Sequence, residues 1–404
     1  MSAAYQQAFE RFSGTLDRGD RDRRQARFER FAGAGFPGPH EERWRYTDIS
    51  GLAAREFALP AAADIDLGET LLAGCDHLVY VNGYLDRTRS TAAALHGVAA
   101  AEGPDDDGIA ALNAAFDGGG LQLRLASGET LPRPLNVVAA IAAPSAPGMV
   151  HQRHRIELGE NSQATVVFQF AGRGGERLAT QRVEIRLAPG ARLMLYRVED
   201  EAAGGTLLST IQASLARAST LRAVTVDCGG GLARHDFNIA LDGAGAEAAL
   251  AGLYRPQAGG HVDNHAQVVH AAPHCRSRML FRGIVDARTR AVLNGRVVVQ
   301  PGAQKTDSEQ RIANLLLSPR AEVDAKPELE IYADDVKCAH GATVGRIDET
   351  ALGYLRSRGI DAGQARALLL RAFAGEVLAR IGLPALRAAL NARLGFPAEE
   401  PIEP

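Results

Sequence analysis

Lysine is nearly absent from this chain. Its 404 residues include 45 basic side chains, and all of these except Lys305, Lys326 and Lys337 are arginines. A lysine ammonium is compact and flexible, whereas an arginine guanidinium is planar and rigid. Three lysines close together near the C-terminal end therefore indicate a local need for the ammonium group, although chance alone can also place so few. We expect them to hold that end of the molecule together rather than to catalyse a reaction.

A strong net charge and a long apolar run are also missing. The formal charge of −3 gives no electrostatic reason to expect nucleic acid or an anionic membrane as a partner. No apolar stretch reaches the roughly 18 residues of a membrane span, and the N-terminus lacks the layout of a signal peptide. The four cysteines (Cys75, Cys228, Cys275 and Cys338) form no Cys-x-x-Cys pair. We therefore expect reduced thiols and a cytoplasmic protein.

The common catalytic and nucleotide-binding motifs are missing as well. No Gly-Lys pair occurs anywhere, so the chain contains no P-loop for ATP. It contains neither a Gly-x-Ser-x-Gly nucleophile elbow nor a His-Glu-x-x-His zinc helix. We expect a chain that is not an enzyme and that relies on a partner for any energy source.

The N-terminal third, residues 1–130, is predicted to be a small helical or α+β cap. Phenylalanines recur at helical spacing up to about residue 32, and an arginine run accompanies them, which predicts a solvated helix face balanced by acids. This run comprises Arg21, Arg23, Arg24, Arg27 and Arg30. The segment 42–48 carries the single tryptophan, Trp44, which indicates either a docking surface or an anchor of a helix end to the core.

From about residue 131 to 345 the pattern changes to short strands with a regular repeat. Apolar and polar residues alternate, and small-residue corners recur every 26 to 30 residues. The apolar residues that begin these corners are Leu158, Leu187, Leu215, Leu241, Val269 and Val299. A fixed period built from strands alone predicts a β-helix (β-solenoid), with helical segments at its ends as caps. A large β-sandwich is the alternative, and the regular corners disfavour it.

Residues 346–404 are predicted to form a helical domain. Asp348 caps a first helix, Asp361 opens a longer one in an arrangement similar to a capping box, and Pro384 starts a third. The apolar stripe of the longer helix has to be covered. Either the solenoid or a partner protein can cover it.

Two groups of residues could hold a metal. Cys338 and His340 are two residues apart, so on a strand their side chains share one side, and thiolate with imidazole suits zinc, copper or iron. Two ligands cannot close a metal site, so a second chain has to supply the rest. The alternative is a buried cysteine beside a hydrogen-bonded core histidine.

The second group lies around residue 265. His261, Asp263 and His265 share one face of a strand, and His270, His274 and Cys275 follow within a few residues. No spacing typical of a closed four-ligand zinc site occurs here. Hydrogen bonding at turns and corners is the favoured interpretation.

Several motifs together resemble one family. Residues 324–345 resemble the signature of the SufD branch of the SufB/SufD family, the scaffold subunits of the Suf iron–sulfur cluster assembly system. Other matching segments are 42–48, 281–283, 293–295, 304–307, 314–318 and 354–360, together with His270. Gly341 stands where the sister branch SufB typically has a glutamate, and residues 311–313 depart mildly from the family pattern. The resemblance covers nearly the whole chain.

This resemblance implies a right-handed β-helix core and a C-terminal helical domain. It implies pairing with SufB through the ends of the two β-helices, docking of the SufC ATPase on the C-terminal helices, and possible homodimers. Cys338 and His340 then lie near the SufB–SufD interface, where a transient iron–sulfur cluster is formed. A reduced flavin is associated with such complexes, at a site that the sequence does not indicate.

Two other functions are consistent with parts of the pattern. The chain can be a purely structural adaptor, in which the C-terminal helices bind the ATPase while Cys338 and His340 only pack. A polysaccharide-active β-helix enzyme is the other, but it needs clustered acids or a calcium site on one face. Asp334 and Asp335 form the only acidic pair near the key stretch.

Overall fold

The computed structural model describes residues 3–98, 107–142 and 147–396. The extreme ends of the two predicted terminal domains, residues 1–2 and 397–404, therefore lie outside the described residues, and so do 99–106 and 143–146. The helices are α1 (Ala3–Ser13), α2 (Arg18–Ala34), α3 (Gly108–Phe116), α4 (Glu349–Ser357), α5 (Ala362–Leu378) and α6 (Pro384–Arg393). None of these helices is long and apolar enough to cross a membrane.

Most of the chain is β-strand. The strands are β1 (Asp76–Val81), β2 (Tyr84–Leu85), β3 (His96–Gly97), β4 (Gly120–Leu125), β5 (Leu135–Ile141), β6 (Gly148–Leu158), β7 (Gln163–Gly172), β8 (Arg177–Leu187), β9 (Arg192–Asp200), β10 (Gly205–Leu215), β11 (Thr220–Asp227), β12 (Leu232–Leu241), β13 (Glu247–Tyr254), β14 (His261–His270), β15 (Arg276–Val285), β16 (Arg290–Val299), β17 (Asp307–Leu316), β18 (Glu322–Ile331) and β19 (Lys337–Gly345).

The strands form two long parallel sheets in which each strand pairs with the next but one. Even-numbered strands from β4 to β18 form the even-strand sheet, with β3 at its end, and odd-numbered strands from β5 to β19 form the odd-strand sheet, with β1 and β2 at its end. One even and one odd strand make one coil, and about eight coils stack into a solenoid. The predicted β-solenoid is confirmed. The sandwich alternative is wrong, because a sandwich is built from antiparallel sheets.

The predicted repeat corresponds to a stacked column of residues at the ends of the even-numbered strands. In register, the column comprises Leu158, Leu187, Leu215, Leu241, His270, Val299 and Ile331. The assignment of Val269 to this series is wrong by one residue. His270 occupies the column position and is fully buried there, whereas Val269 lies on the opposite side of the strand.

The corners after these strands share a left-handed backbone position. Equivalent residues with φ between 55° and 72° are Asn161, Gly190, Ala218, Gly245, His274 and Lys305. Each of them donates its N–H to a carbonyl in the next corner, at 2.6–3.0 Å. This geometry favours glycine and asparagine, which occupy three of the six positions, so it accounts for part of the small-residue corners seen in the sequence.

The N-terminal helices cover the outer face of the even-strand sheet. Phe9 and Phe116 pack in one cluster with Met149 and Leu178 of that sheet. Trp44 is buried, so the anchor interpretation holds for it. The expectation that the arginine run is a solvated face is wrong for Arg24, which is only 8% exposed.

The C-terminal helices cover the opposite face of the solenoid. Leu370 and Val377 of α5 pack in one cluster with Val226 and Leu253 of the odd-strand sheet. Both sets of helices thus lie on the sides of the solenoid, whereas the sequence predicts them at its ends. Among the described residues, the coil at the C-terminal end is therefore left open.

Candidate functional site: the open end of the solenoid

The last coil, β18 and β19, has no further coil above it among the described residues. Each of its strands pairs on one side only, β18 with β16 and β19 with β17. Side chains that would be buried in an inner coil are therefore in contact with solvent. Ile331 is 43% exposed and Val344 is 49% exposed. This end of the molecule combines two unpaired strand edges with an exposed apolar interior.

The two edges differ in their capacity to pair with another strand. Pro327 in β18 has no N–H to donate, and charged residues flank it along that strand. The nine residues of β19 include a single charge, Lys337, and no proline. Natural proteins protect exposed edges with charges and prolines. The β19 edge lacks that protection and is the one suited to pairing.

Cys338 and His340 lie on β19 and face the same side of the strand. Cys338 pairs in register with the buried Ser308, and His340 pairs with the buried Gln310. Cys338 is half-buried against the solenoid core, whereas His340 is exposed. Both side chains thus lie on the interior side of β19 in the last coil, where the solenoid interior is open to solvent.

The thiol of Cys338 is held in its protonated form in this chain. Burial raises its pKa, and the charge of Asp307 raises it further. A thiolate is the form that binds metals and attacks electrophiles, and a nearby cation or metal is what favours it. Among the described residues, no cluster of three His, Cys, Asp or Glu side chains suited to a metal ion is found.

A hydrogen-bonded column of side chains inside the solenoid ends at Ser308. Nε2 of His270 lies 2.8 Å from Oγ of Ser277, which lies 2.8 Å from Oγ of Ser308. Ser308 is the register neighbour of Cys338. Burial lowers the pKa of His270 to about 4, so this imidazole is neutral. His270 therefore belongs to an internal polar column.

The three lysines occupy different places around the last coils. Lys305 lies at a left-handed corner, donates its N–H to the carbonyl of Asp335 at 2.6 Å, and forms an ion pair with the same aspartate. Nζ of Lys326 lies 2.7 Å from Glu328 and 3.3 Å from Glu42 of the N-terminal segment. Lys337 is exposed at the start of β19.

His261 and His265 lie on the outer face of the even-strand sheet, whereas Cys338 lies in the odd-strand sheet, two coils further along the stack. Both lie beside the buried Asp263, which accepts hydrogen bonds from Arg234 and Thr47 at 2.6 Å each. Nε2 of His265 lies 3.0 Å from Asp263, and Nε2 of His261 lies 2.9 Å from Thr47. This cluster fastens the segment 42–48 to the solenoid.

The remaining predicted ligands are separated by the corner after β14. His270 and Cys275 are buried in the solenoid interior, whereas His274 is exposed at the corner. The six potential ligands near residue 265 therefore do not all converge: His261, Asp263 and His265 lie together on the outer face, and the other three lie elsewhere.

A second exposed surface lies on the C-terminal helices. No residue of α4 is buried, Tyr354 is 58% exposed, and Leu368 of α5 is 38% exposed. The inner side of α5 contacts the coils next to the open end, because Glu376 lies 3.1 Å from Nε of Arg282 in β15 and 3.3 Å from Arg311 in β17. Helix α5 therefore links the exposed surface of the C-terminal helices to β15 and β17, the two strands that precede β19 in the odd-strand sheet.

Sequence reasoning missed the apolar part of the open end. Ile331 and Val344 alternate with polar neighbours as residues of a buried strand do, and that alternation carries no sign that the next coil is missing. The polar column through Ser277 and Ser308 was missed as well. Two serines at equivalent positions of successive repeats were the available signal.

Comparison with known proteins now places this fold and site in a class. Residues 140–373 match the family model for the core domain of SufBD proteins of the SUF iron–sulfur cluster assembly system. The solenoid with its open end is thus that of an iron–sulfur cluster assembly protein.

Curated relatives agree with that class. The chain is 30% identical to the iron–sulfur cluster assembly protein SufD of Escherichia coli, over 92% of this chain and 91% of that protein. It is 28% identical to a SufBD family protein of Synechocystis over 94% of this chain and 91% of that protein. A SufBD family protein of Mycobacterium leprae is 34% identical over 65% of this chain and 67% of that protein. The chain belongs to the SufBD family and is SufD-like.

Proposed function

We propose that this chain is a non-catalytic scaffold of iron–sulfur cluster assembly that lends Cys338 and His340 to a site completed by a second solenoid. The observation that carries the proposal is the open last coil, in which the solenoid interior is exposed to solvent beside these two residues. Imidazole and thiolate are both suitable ligands for iron. The cluster is cargo here, assembled between chains and passed on.

The β19 edge supports a specific mode of pairing with the second chain. An exposed edge strand pairs with a strand of another protein by adding to its sheet. Such pairing would also bury the apolar residues Ile331 and Val344. We propose the sister subunit SufB as this partner in the cytoplasm, with a second copy of the same chain as the alternative when SufB is absent.

The protonation state of Cys338 sets an order of events. In the isolated chain, burial and Asp307 disfavour its thiolate. Iron, or a cation brought by the partner, would lower the pKa of the thiol and make it a ligand. We propose that Cys338 becomes a ligand only after the two solenoids have joined.

The C-terminal helices are the proposed docking surface for the SufC ATPase. This chain has no P-loop, so the energy of ATP has to enter through a partner. Tyr354 and Leu368 supply exposed apolar contacts. The ion pairs of Glu376 with Arg282 and Arg311 connect α5 to β15 and β17, so a movement of α5 would reach the coils next to the open end.

A purely structural adaptor remains the second candidate. The protonated, half-buried Cys338 favours it, because such a thiol can serve packing alone. In that case the second solenoid and the ATPase would still bind, but substitution of His340 would leave cluster assembly intact.

Separate loss of the two partners tests the proposed surfaces. We expect Val344→Arg to abolish co-purification of SufB and to retain SufC, because a charge at the open end opposes burial. We expect Tyr354→Glu to abolish SufC and to retain SufB. Each variant is the control for the other in co-expression pull-downs. Loss of neither partner from either variant would contradict the proposed surfaces.

A further inference from the structure

The interior layer directly beneath the open coil is polar. Ser308, Gln310 and Asn314 of β17 are buried in the solenoid, each at most 2% exposed. Each of them pairs in register with a residue of β19, and Gln310 is the neighbour of His340. In β15, the strand before β17 in the same sheet, the residue matched to Gln310 is the apolar Met279. Polar groups buried this deeply cost free energy unless they are hydrogen-bonded.

Gln310 crosses the interior, and a glycine on the opposite sheet makes room for it. Its Nε2 donates to the backbone carbonyl of Glu328 in β18 at 3.1 Å. A Cβ atom added at Gly295 of β16 would lie 2.6 Å from Oε1 of Gln310, which is too close for two such atoms. Gly295 belongs to the segment 293–295, which the strand repeat alone does not explain. The amide group is therefore held in a defined place beneath the last coil.

The oxygen of this amide has no partner. Oε1 of Gln310 is buried and accepts no hydrogen bond from a described residue. A buried acceptor that has lost its water without gaining a donor destabilises the folded chain. A methionine, which has a similar length and no oxygen, would avoid this cost. The glutamine is thus better suited to a state in which a donor is present than to the isolated chain.

His340 is a suitable donor for that oxygen. It lies on the strand next to Gln310 and on the same face of the sheet, and neighbouring strands are about 4.8 Å apart. A histidine that binds a metal through one ring nitrogen almost always donates the N–H of its other nitrogen to an oxygen. His340 is exposed in this chain. A second solenoid that covers the last coil would bring its ring against the interior layer.

We propose that Gln310 is a positioning residue for His340, a role that rests on the proposed function of the open end. Oε1 of Gln310 would accept the N–H of one ring nitrogen, fix the orientation of the imidazole and leave the other nitrogen for iron. This hydrogen bond would also make the imidazole a stronger ligand. Covering of the last coil would then satisfy an acceptor that is unpartnered in the isolated chain.

Gln310→Met tests this role against a merely structural one. In the co-expressed Suf complex, reconstituted anaerobically with iron and sulfide, we expect its iron–sulfur chromophore to fall at least about tenfold, as is typical for loss of such a partner. Both Suf partners should still co-purify. In the isolated chain the denaturant midpoint should equal or exceed that of the wild type, because an unpartnered buried acceptor has been removed.

A rescue variant and a matched control accompany this measurement. Gln310→Glu is the rescue, because burial keeps a carboxyl group protonated. The neutral group can donate to Glu328 and accept from His340 as the amide does, so the chromophore should be close to that of the wild type. Gln152→Met is the control. Gln152 is a buried glutamine of β6 whose Nε2 is also unpartnered, and its loss should leave the chromophore unchanged.

His340→Ala distinguishes failure of this role from failure of the proposed function. A full chromophore in Gln310→Met, together with a lost one in His340→Ala, would overturn the role of Gln310 alone. A full chromophore in His340→Ala would overturn the shared site itself. A lowered midpoint and loss of the partners in Gln310→Met would make Gln310 a brace of the last coil and overturn its role toward His340. Equal loss of the chromophore in Gln152→Met would do the same.

Discussion

His270 occupies a position in the stacked column at the ends of the even-numbered strands that aliphatic residues occupy in the other coils. Its neighbours above and below are Leu241 and Val299. Its ring is hydrogen-bonded to Ser277, and Thr306 lies 3.4 Å from its other nitrogen. Burial lowers its pKa to about 4. The fold therefore accommodates a neutral imidazole at this position and disfavours a charged one.

Acid should destabilise the protein through this residue. The pKa of His270 is about 4 in the folded state and about 6.5 in an unfolded chain. Its contribution is therefore fully present above pH 6.5 and is lost as the pH falls toward 4. By pH 5 the loss is about 2 kcal/mol. Urea unfolding should show that the free energy of unfolding of His270→Leu falls by about 2 kcal/mol less between pH 7 and pH 5 than that of the wild type.

His40→Leu is the control for that comparison. His40 is exposed, so its removal should leave the pH dependence of the wild type. Other buried histidines, such as His151, contribute to acid sensitivity in all three proteins equally. If His270→Leu and the wild type lose the same free energy of unfolding between pH 7 and pH 5, the proposed cause is wrong.

At the residue scale the sequence showed which side chains share a strand face, but not their environment. The two-residue spacing of Cys338 and His340 predicted a common side, and the structure has it. The spacing could not show that His340 is exposed, because exposure depends on whether another coil follows. Asp263 illustrates the same limit. Its partners Arg234 and Thr47 come from distant parts of the chain.

Among the elements, the corners of the solenoid are the most regular. Gly245 and Ala218 occupy equivalent left-handed positions, with φ of 72° and 55°. A side chain added at Gly245 meets no atom within 4 Å. Substitution there therefore changes the backbone energy and little else.

Exchanging alanine and glycine at these corners should show opposite effects. Gly245→Ala is expected to lower the free energy of unfolding by about 1 kcal/mol, since a left-handed conformation costs an alanine more than a glycine. Ala218→Gly is expected to be neutral or to stabilise the protein by up to about 1 kcal/mol. Relief of the left-handed strain favours the folded state, and the greater freedom of glycine in the unfolded chain offsets part of that gain. Denaturant unfolding midpoints provide the measurement. Changes of the same sign in both variants would contradict the account.

The elements themselves were largely predictable. A strand period with small-residue corners predicted the solenoid, and the caps Asp348 and Asp361 accept hydrogen bonds from the first turns of α4 and α5. The error at Val269 arose because apolar character was used to place the column, and His270 is polar. Where the helices pack was not predictable, since an apolar stripe indicates that a face is buried but not what buries it.

The whole molecule is a solenoid covered on two sides and open at one end. N-terminal helices cover the even-strand sheet, C-terminal helices cover the odd-strand sheet, and the last coil is uncovered among the described residues. The open coil brings together an unprotected strand edge, exposed apolar residues and the pair Cys338 and His340. A solenoid in this state is suited to continue into a second one.

The most direct test is cluster assembly by the co-expressed Suf complex that carries His340→Ala. Anaerobic reconstitution with iron and sulfide, followed by visible absorption, measures the iron–sulfur chromophore. We predict that His340→Ala lowers it at least about tenfold, as expected for loss of a ligand, while both partners still co-purify. His40→Ala, another exposed histidine, should give the wild-type signal. A full chromophore in the intact His340→Ala complex would contradict the shared site.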